Sequence, residues 1–263
     1  MLHTRTTTVL LDADGNLFPS EEPAFVASAI VTNAFLAEIG VPLRFTAEEL
    51  RLATTGRNFR STAVDLAVAH GVPLDPALAD RHPGARATGD HRGGLTSAAL
   101  DAWVQEEKRQ VTQYLGTVLQ PDPSVVGPLR RLSGRFRLAA VSSSATTRLD
   151  ACFLATGLAE LVPAGVRFSA EDSLPVPTSK PDPAVYLHAC RELGVAPQHC
   201  VAVEDSVVGA VSAVAADIPT VGNVQFVQAS EREERERLLR AAGVVRVVTS
   251  WSQLEELLGG RTD

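Results

Sequence analysis

Short apolar runs recur in this chain, each closed by polar residues and followed by a stretch of helical periodicity. That alternation constrains the fold more than any other feature. Val9, Leu10 and Leu11 form the first run. After Pro121 the pattern becomes regular, with strands expected over 136–141, 166–169, 200–203, 220–224 and 244–248. Helices are expected between and after them, over 125–132, 149–156, 181–193, 208–216 and 251–258. Prolines fall in the first turn of the 181–193 helix, where a missing N–H costs little. Strands this short and this apolar are buried on both faces. Alternating strand and helix therefore predicts an α/β fold: a Rossmann-like parallel sheet with helices on both faces.

The stretch between the first strand and Pro121 reads differently. A helix over 21–39 carries Phe25, Ala29, Ala34, Phe35, Leu36 and Ile39, and Gly40 and Pro42 stop it. Thr46 to Glu49 has the form of a capping box. A polar loop over 54–60 leads into a helix ending near Ala69. A Gly- and charge-rich connection over 81–95 precedes a long helix over 97–115. The expected organisation is an α/β core of residues 1–18 and 119–263 with a helical domain, 19–118, inserted in it. No internal repeat is present, and the charge alternation over 231–240 reads as a solvated helix face.

Composition narrows the partners. A net charge of −7 argues against a nucleic-acid backbone partner, which calls for a basic stripe. No apolar run nears the ~18 residues of a membrane span, and the first strand is too short for a signal peptide's apolar core. Three cysteines without a CxxC pair fit reduced thiols and a cytoplasmic protein. Nothing in the sequence sets an oligomeric state.

Open parallel sheets bind ligands beyond the carboxyl ends of their strands. Three expected strands end there in Asp12/Asp14, in Ser142, and in Glu204/Asp205. The spacing of Asp12 and Asp14 places both on one face of an extended strand, where like charges need a cation, a shared proton or solvent. A polar turn is the alternative at that position. Carboxylates converging from separate strands make the oxygen-rich setting of Mg²⁺, which also takes a substrate phosphate. One carboxylate can then attack phosphorus, and an acid two residues on can serve the leaving oxygen and later water. Ser142, with its neighbours' N–H groups, can receive a phosphoryl oxygen or cap a helix. Lys180 is one of two lysines among many arginines, set just before a helix start, and can neutralise both nucleophile and phosphoryl group.

These pieces resemble the haloacid dehalogenase superfamily of phosphotransferases. Asp12-Ala13-Asp14-Gly15-Asn16 is similar to its DxDG(T/V/N) motif, and Val141-Ser142 to its strand ending in Ser or Thr. Lys180-Pro181 matches KP, and Glu204-Asp205-Ser206 with Gly209 matches the acidic motif. The resemblance covers nearly the whole chain. The helical insertion resembles the C1 cap of the β-phosphoglucomutase and phosphoglycolate phosphatase branch.

The resemblance implies a Mg²⁺-dependent phosphatase of a small phosphorylated metabolite, working through an aspartyl phosphate. In it Asp12 is nucleophile and metal ligand, and Asp14 is general acid/base and binds metal through its carbonyl. Ser142 and Lys180 bind phosphate, Asp205 binds metal, and Glu204 does so through water. Ser143 is expected near the phosphate, and Arg57, Asn58 and Arg60 in the loop that selects the substrate. Asp14 argues against dehalogenase and phosphonatase chemistry. A phosphosugar mutase is the rival, yet Ala24 stands where the mutase carries a histidine. A non-catalytic binding protein on the same fold is the third reading. Phe18-Pro19-Ser20 departs from the V-D-S of many relatives.

Overall fold

The computed structural model describes residues 6–54, 58–80 and 94–259. The chain divides into two compact units, one of Met1–Ser20 with Gly116–Asp263, the other of Glu21–Leu115.

The first unit holds six parallel strands: β1 (Thr8–Leu11), β2 (Arg137–Ser142), β3 (Arg167–Ser169), β4 (Cys200–Glu204), β5 (Thr220–Asn223) and β6 (Arg246–Val248). Their order across the sheet is β3-β2-β1-β4-β5-β6. The two halves therefore diverge at β1, which pairs with β2 on one side and β4 on the other. Leu10 sits in register with Ala139 and Ala202. These three side chains pack with Val185 and Ala189 on one helix and Ala213 on another. Their neighbours Val9, Leu11, Val201 and Val203 point to the opposite face and are also fully buried. That double burial is why the strands lack polar alternation.

Helices α6 (Pro123–Ser133), α7 (Thr146–Ala155), α8 (Ala184–Leu193), α9 (Val207–Ala215), α10 (Arg232–Ala241) and α11 (Trp251–Gly259) surround this sheet. Two starts differ from the sequence expectation. Helix α8 begins at Ala184 rather than 181, because Pro181 and Pro183 occupy a turn ahead of it and Asp182 Oδ1 accepts the Ala184 N–H at 2.8 Å. The Lys180–Pro181 peptide is cis. Helix α7 begins at Thr146 rather than 149, because the Thr146 N–H is capped from outside by Asp172 Oδ2 at 2.6 Å. Ala145 occupies the N-cap position, so the alternative of Ser142 as a helix cap does not hold.

The second unit is helical, with α1 (Glu21–Glu38), α2 (Ala47–Thr54), α3 (Phe59–Ala69), α4 (Pro76–Ala79) and the start of α5 (Ser97–Val118). Phe35 lies at its centre, with Phe59 and Trp103 edge-on to it at 6.1 and 5.9 Å. The capping box forms as written: Thr46 Oγ1 accepts the Glu49 N–H at 3.2 Å, and Glu49 accepts the Thr46 N–H at 2.8 Å. Leu95, expected in a loose connection, is instead buried and bridges to Leu74. Residues 81–93 of that connection, with His82 and His91, lie outside the described residues. Among the described residues no helix is long and apolar enough to cross a membrane.

Candidate active site

Strand β1 stops at Leu11, but the Asp12 N–H still bonds to Val203 O at 3.0 Å, so Asp12 leaves the sheet in line with β4. A tight turn follows, with the Leu17 N–H on Ala13 O at 2.9 Å and the Gly15 N–H on Phe18 O at 3.0 Å. Because the chain turns at once, Asp12 and Asp14 take different partners instead of sharing a strand face. Asn16 locks the turn: its Nδ2 donates to Asp12 O at 2.9 Å and to Val203 O at 3.1 Å, and its Oδ1 accepts from Asn223 Nδ2 at 2.9 Å. Trp251 Nε1 donates to Asn16 O at 3.1 Å, tying α11 to the same turn.

Asp12 faces Lys180. The buried ammonium donates to Asp12 Oδ1 at 2.5 Å, to Glu204 Oε1 at 2.6 Å and to Val141 O at 2.9 Å, which uses all three of its N–H donors. Burial alone would lower the Lys180 pKa, but Asp12 and Glu204 outweigh it and hold the ammonium charged. Tyr186, also buried, donates its hydroxyl to the same Glu204 Oε1 at 2.5 Å.

Asp12, Glu204 and Asp205 each offer a carboxylate oxygen, and these atoms lie within 4.8 Å of one another. Burial raises Asp205 well above the ordinary carboxylate range, and Asp12 and Glu204 push it further than Arg235 and Lys180 pull it back. Burial also lifts Glu204 to about 7, and it raises Asp12 despite Lys180. Three buried carboxylates against one ammonium cannot all stay ionised unless a further cation joins them; otherwise they take up protons. Glu204 Oε2 and Asp205 Oδ1 are buried without any donor. An all-oxygen set with two undonated buried atoms fits a hard divalent cation such as Mg²⁺. Two glycines make room for these acids. A Cβ on Gly15, whose φ is +76°, would collide with Asp205 Oδ2, and one on Gly209 would collide with the Glu204 carboxylate.

Asp14 occupies a separate pocket of donors. Its Oδ1 accepts from Ser20 Oγ at 2.5 Å and Arg148 Nη2 at 2.8 Å, and its Oδ2 accepts from Ser144 Oγ at 2.7 Å. Burial pushes its pKa up, but the Arg148 charge and the hydrogen bonds from Ser20 and Ser144 prevail, so the carboxyl sits below its ordinary value. Ser142 is buried at the end of β2, where its Oγ accepts the Ser144 N–H at 3.0 Å. Ser143 Oγ accepts the Lys180 N–H at 3.1 Å and so helps place the lysine. The structure thus gathers Asp12, Lys180, Glu204 and Asp205 into one cluster, with Asp14, Ser142 and Ser143 beside it.

Two of the three loop residues of the helical unit have partners within that unit. Asn58 is the N-cap of α3, its side chain accepting the Ser61 N–H at 2.9 Å. Arg60 forms an ion pair with Asp101. Arg57 lies outside the described residues. Sequence reasoning missed Ser20, Ser144, Arg148, Tyr186, Asn223 and Arg235, which donates to Asp205 O at 3.0 Å. Two of these had a signal in the sequence: Ser144 lies two residues past Ser142, and Ser20 ends the Phe18-Pro19-Ser20 stretch beside the first motif.

At the central switch point of a parallel sheet, three buried acids thus converge around one buried lysine. The family model of haloacid dehalogenase-like hydrolases matches residues 6–217, and the chain belongs to that family. A CBBY-like protein of Arabidopsis thaliana is 50% identical over 46 residues, which are 18% of this chain and 14% of the plant protein. CbbY from Rhodobacter sphaeroides, solved as a mutant in complex with xylulose-(1,5)bisphosphate, aligns at 21% identity with a TM-score of 0.63, covering 95% of this chain and 96% of its own. A Haemophilus somnus structure described as "a predicted phosphoglycolate phosphatase" aligns at 17% identity with a TM-score of 0.67, covering 97% and 99%. A Thermotoga maritima structure described as a "putative beta-phosphoglucomutase" shares the fold as well, at 23% identity with a TM-score of 0.64, covering 97% of this chain and 99% of its own.

Proposed function

We propose that this chain is a Mg²⁺-dependent phosphatase that hydrolyses a small phosphorylated metabolite in the cytoplasm, with Glu21–Leu115 as its cap. The observation that carries the reading is the buried cluster of Asp12, Lys180, Glu204 and Asp205. Packing charges this densely in a dry site costs stability, and two of its oxygens still lack donors.

In this reading Asp12, Glu204 and Asp205 hold the cation, with the Asp14 carbonyl. Bound Mg²⁺ would supply positive charge to the carboxylates and to the phosphoryl oxygens. Asp12 attacks phosphorus with the oxygen that Lys180 does not hold, forming an aspartyl phosphate as the ester oxygen departs. Lys180 and the Ser142 hydroxyl stabilise the transferring phosphoryl group. Asp14 gives a proton to the leaving oxygen and takes one from the water that cleaves the intermediate. In the pose described it is an ionised carboxylate with both oxygens occupied, so it must leave Ser20, Ser144 and Arg148 and take up a proton from solvent before it can serve the leaving oxygen.

A mutase that returns the phosphoryl group to a sugar has less support, since Ala24 supplies no second acid–base group. The intact acidic cluster likewise disfavours a non-catalytic binder. Asp12→Asn should abolish phosphate release from an aryl phosphate in Mg²⁺, and EDTA should silence the wild-type chain until Mg²⁺ is restored. Retained activity in Asp12→Asn would overturn the mechanism. A hexose 1-phosphate converted to its 6-phosphate, without phosphate release, would establish the mutase instead.

A further inference from the structure

We propose that Tyr186 is a positioning residue for this site, its hydroxyl fixing Glu204 so that the glutamate serves the cation and Lys180 stays on Asp12. The inference rests on the metal-dependent reading above.

Glu204 Oε1 accepts two hydrogen bonds, from Lys180 Nζ at 2.6 Å and Tyr186 OH at 2.5 Å, while Oε2 accepts none. The carboxylate is fully buried and lies against Gly209. Its orientation is thus set by one rigid phenol, one ammonium and one missing Cβ. Tyr186 itself is locked: the side chain is fully buried in the core beneath the sheet, and Lys180 Nζ lies 5.2 Å from its ring centroid. A tyrosine hydroxyl buried here has a strong requirement for a partner.

The arrangement divides the work of the lysine. Lys180 has three donors and three acceptors, two of them carboxylates. If Lys180 were the sole donor to Glu204, the glutamate would draw the ammonium away from the nucleophile. The Tyr186 hydroxyl meets half of that demand and leaves the ammonium on Asp12. Partners that orient a metal-binding carboxylate in this way typically change metal affinity or activity by about 10–100-fold when removed. The placement of Tyr186 reflects topology. It lies in the first turn of α8, six residues after Lys180, so the segment that delivers the lysine also delivers the phenol.

The test is Tyr186→Phe, which deletes one oxygen and keeps the ring. Mn²⁺ and Mg²⁺ affinities of the substrate-free chain are measured by calorimetry, with kcat and KM at saturating Mg²⁺. The expected result is cation affinity weaker by about tenfold or more, with kcat lowered and KM held within about twofold. On an Asp205→Asn background, where cation binding is already lost, Tyr186→Phe should have no further effect on it. Wild-type cation affinity and kcat in Tyr186→Phe would overturn the role of Tyr186, whereas Asp205→Asn would still lose cation binding. If the wild-type chain itself binds neither cation, the metal reading fails and this inference with it.

A second measurement needs no change at Tyr186. The chain has two tyrosines, Tyr114 and Tyr186. In a Tyr114→Phe chain, adding Mg²⁺ should perturb the tyrosine ultraviolet absorbance with the same concentration dependence as calorimetric binding. An unchanged spectrum at saturating Mg²⁺ would overturn the proposal even if Tyr186→Phe did not fold.

Discussion

Both units carry ion pairs on their surfaces, but among the described residues the α/β unit also buries charged side chains and the helical unit does not. In the α/β unit, Asp12, Lys180, Glu204 and Asp205 are all under a tenth exposed and converge from three segments of chain, Lys180 bonding to Asp12 and Glu204 with Asp205 beside them. In the helical unit the described ion pairs lie on the surface. Arg51–Glu48 and Arg109–Glu106 are one turn apart on a single helix, and Arg60–Asp101 joins two helices with both side chains more than two-fifths exposed. Surface pairs of this kind contribute about 0–1 kcal/mol and need no further explanation. A buried cluster of three carboxylates around one ammonium is costly to fold, and folding alone gives no reason to assemble it. The contrast separates the part of the chain arranged for chemistry from the part arranged for shape.

Removing Lys180 should break this contrast most severely. Lys180→Met strands three buried carboxylates, and the folded chain should lose about 3–5 kcal/mol at neutral pH without Mg²⁺. Phosphate release should fall by roughly 10²–10³-fold. Urea unfolding in EDTA and then in Mg²⁺ checks this, since the cation should recover part of the lost stability. A Lys180→Met chain as stable as wild type in EDTA would mean that the cluster is far better solvated than its burial indicates.

The legibility of the chain follows the same division. Strand β4 and its acids could be read because an apolar run ending in Glu204-Asp205 is a local pattern. The convergence of three such ends followed from the parallel-sheet rule alone. What escaped were the partners supplied by distant segments. Arg148 reaches Asp14 from 134 residues away, and Asn223 meets Asn16 across 207. Tyr186 resembled an ordinary core residue of α8, because no sequence pattern distinguishes a phenol buried for packing from one aimed at a carboxylate. The early start of α7 was hidden for the same reason, as its cap comes from Asp172 rather than from the preceding turn.

A smaller effect is expected at Asp75, a carboxylate that ties two helices of the helical unit together. It caps α4 by accepting the Leu78 N–H at 2.9 Å, and it accepts the Ser97 N–H at 2.5 Å at the start of α5. Asp75→Ala should cost about 1 kcal/mol at neutral pH, the usual value of such a cap. The Ser97 N–H, ahead of the Leu78 N–H, holds the Asp75 pKa below its ordinary value in the folded chain. Its contribution is therefore complete above the ordinary carboxylate pKa of ~3.9 and is lost as pH falls through the lower folded value. Urea unfolding of the two chains should differ at neutral pH and converge in acid. A difference that grew in acid would contradict the assigned hydrogen bonds.

The smallest effect should come from Arg60, and it tests the contrast from its weak side. The sequence placed Arg60 among the residues that choose the substrate, whereas the structure pairs it with Asp101 on the surface of its own unit. A guanidinium already engaged must give up that pair to meet a ligand, although at its exposure the loss is slight. Arg60→Ala should change kcat/KM on the best substrate by less than about threefold, roughly 0.6 kcal/mol of transition-state stabilisation. Asp101→Ala should then match it, since the two side chains act as one pair. A tenfold loss in Arg60→Ala with none in Asp101→Ala would separate the pair. It would show that Arg60 leaves Asp101 for the substrate, and the helical unit would then hold chemistry as well as shape.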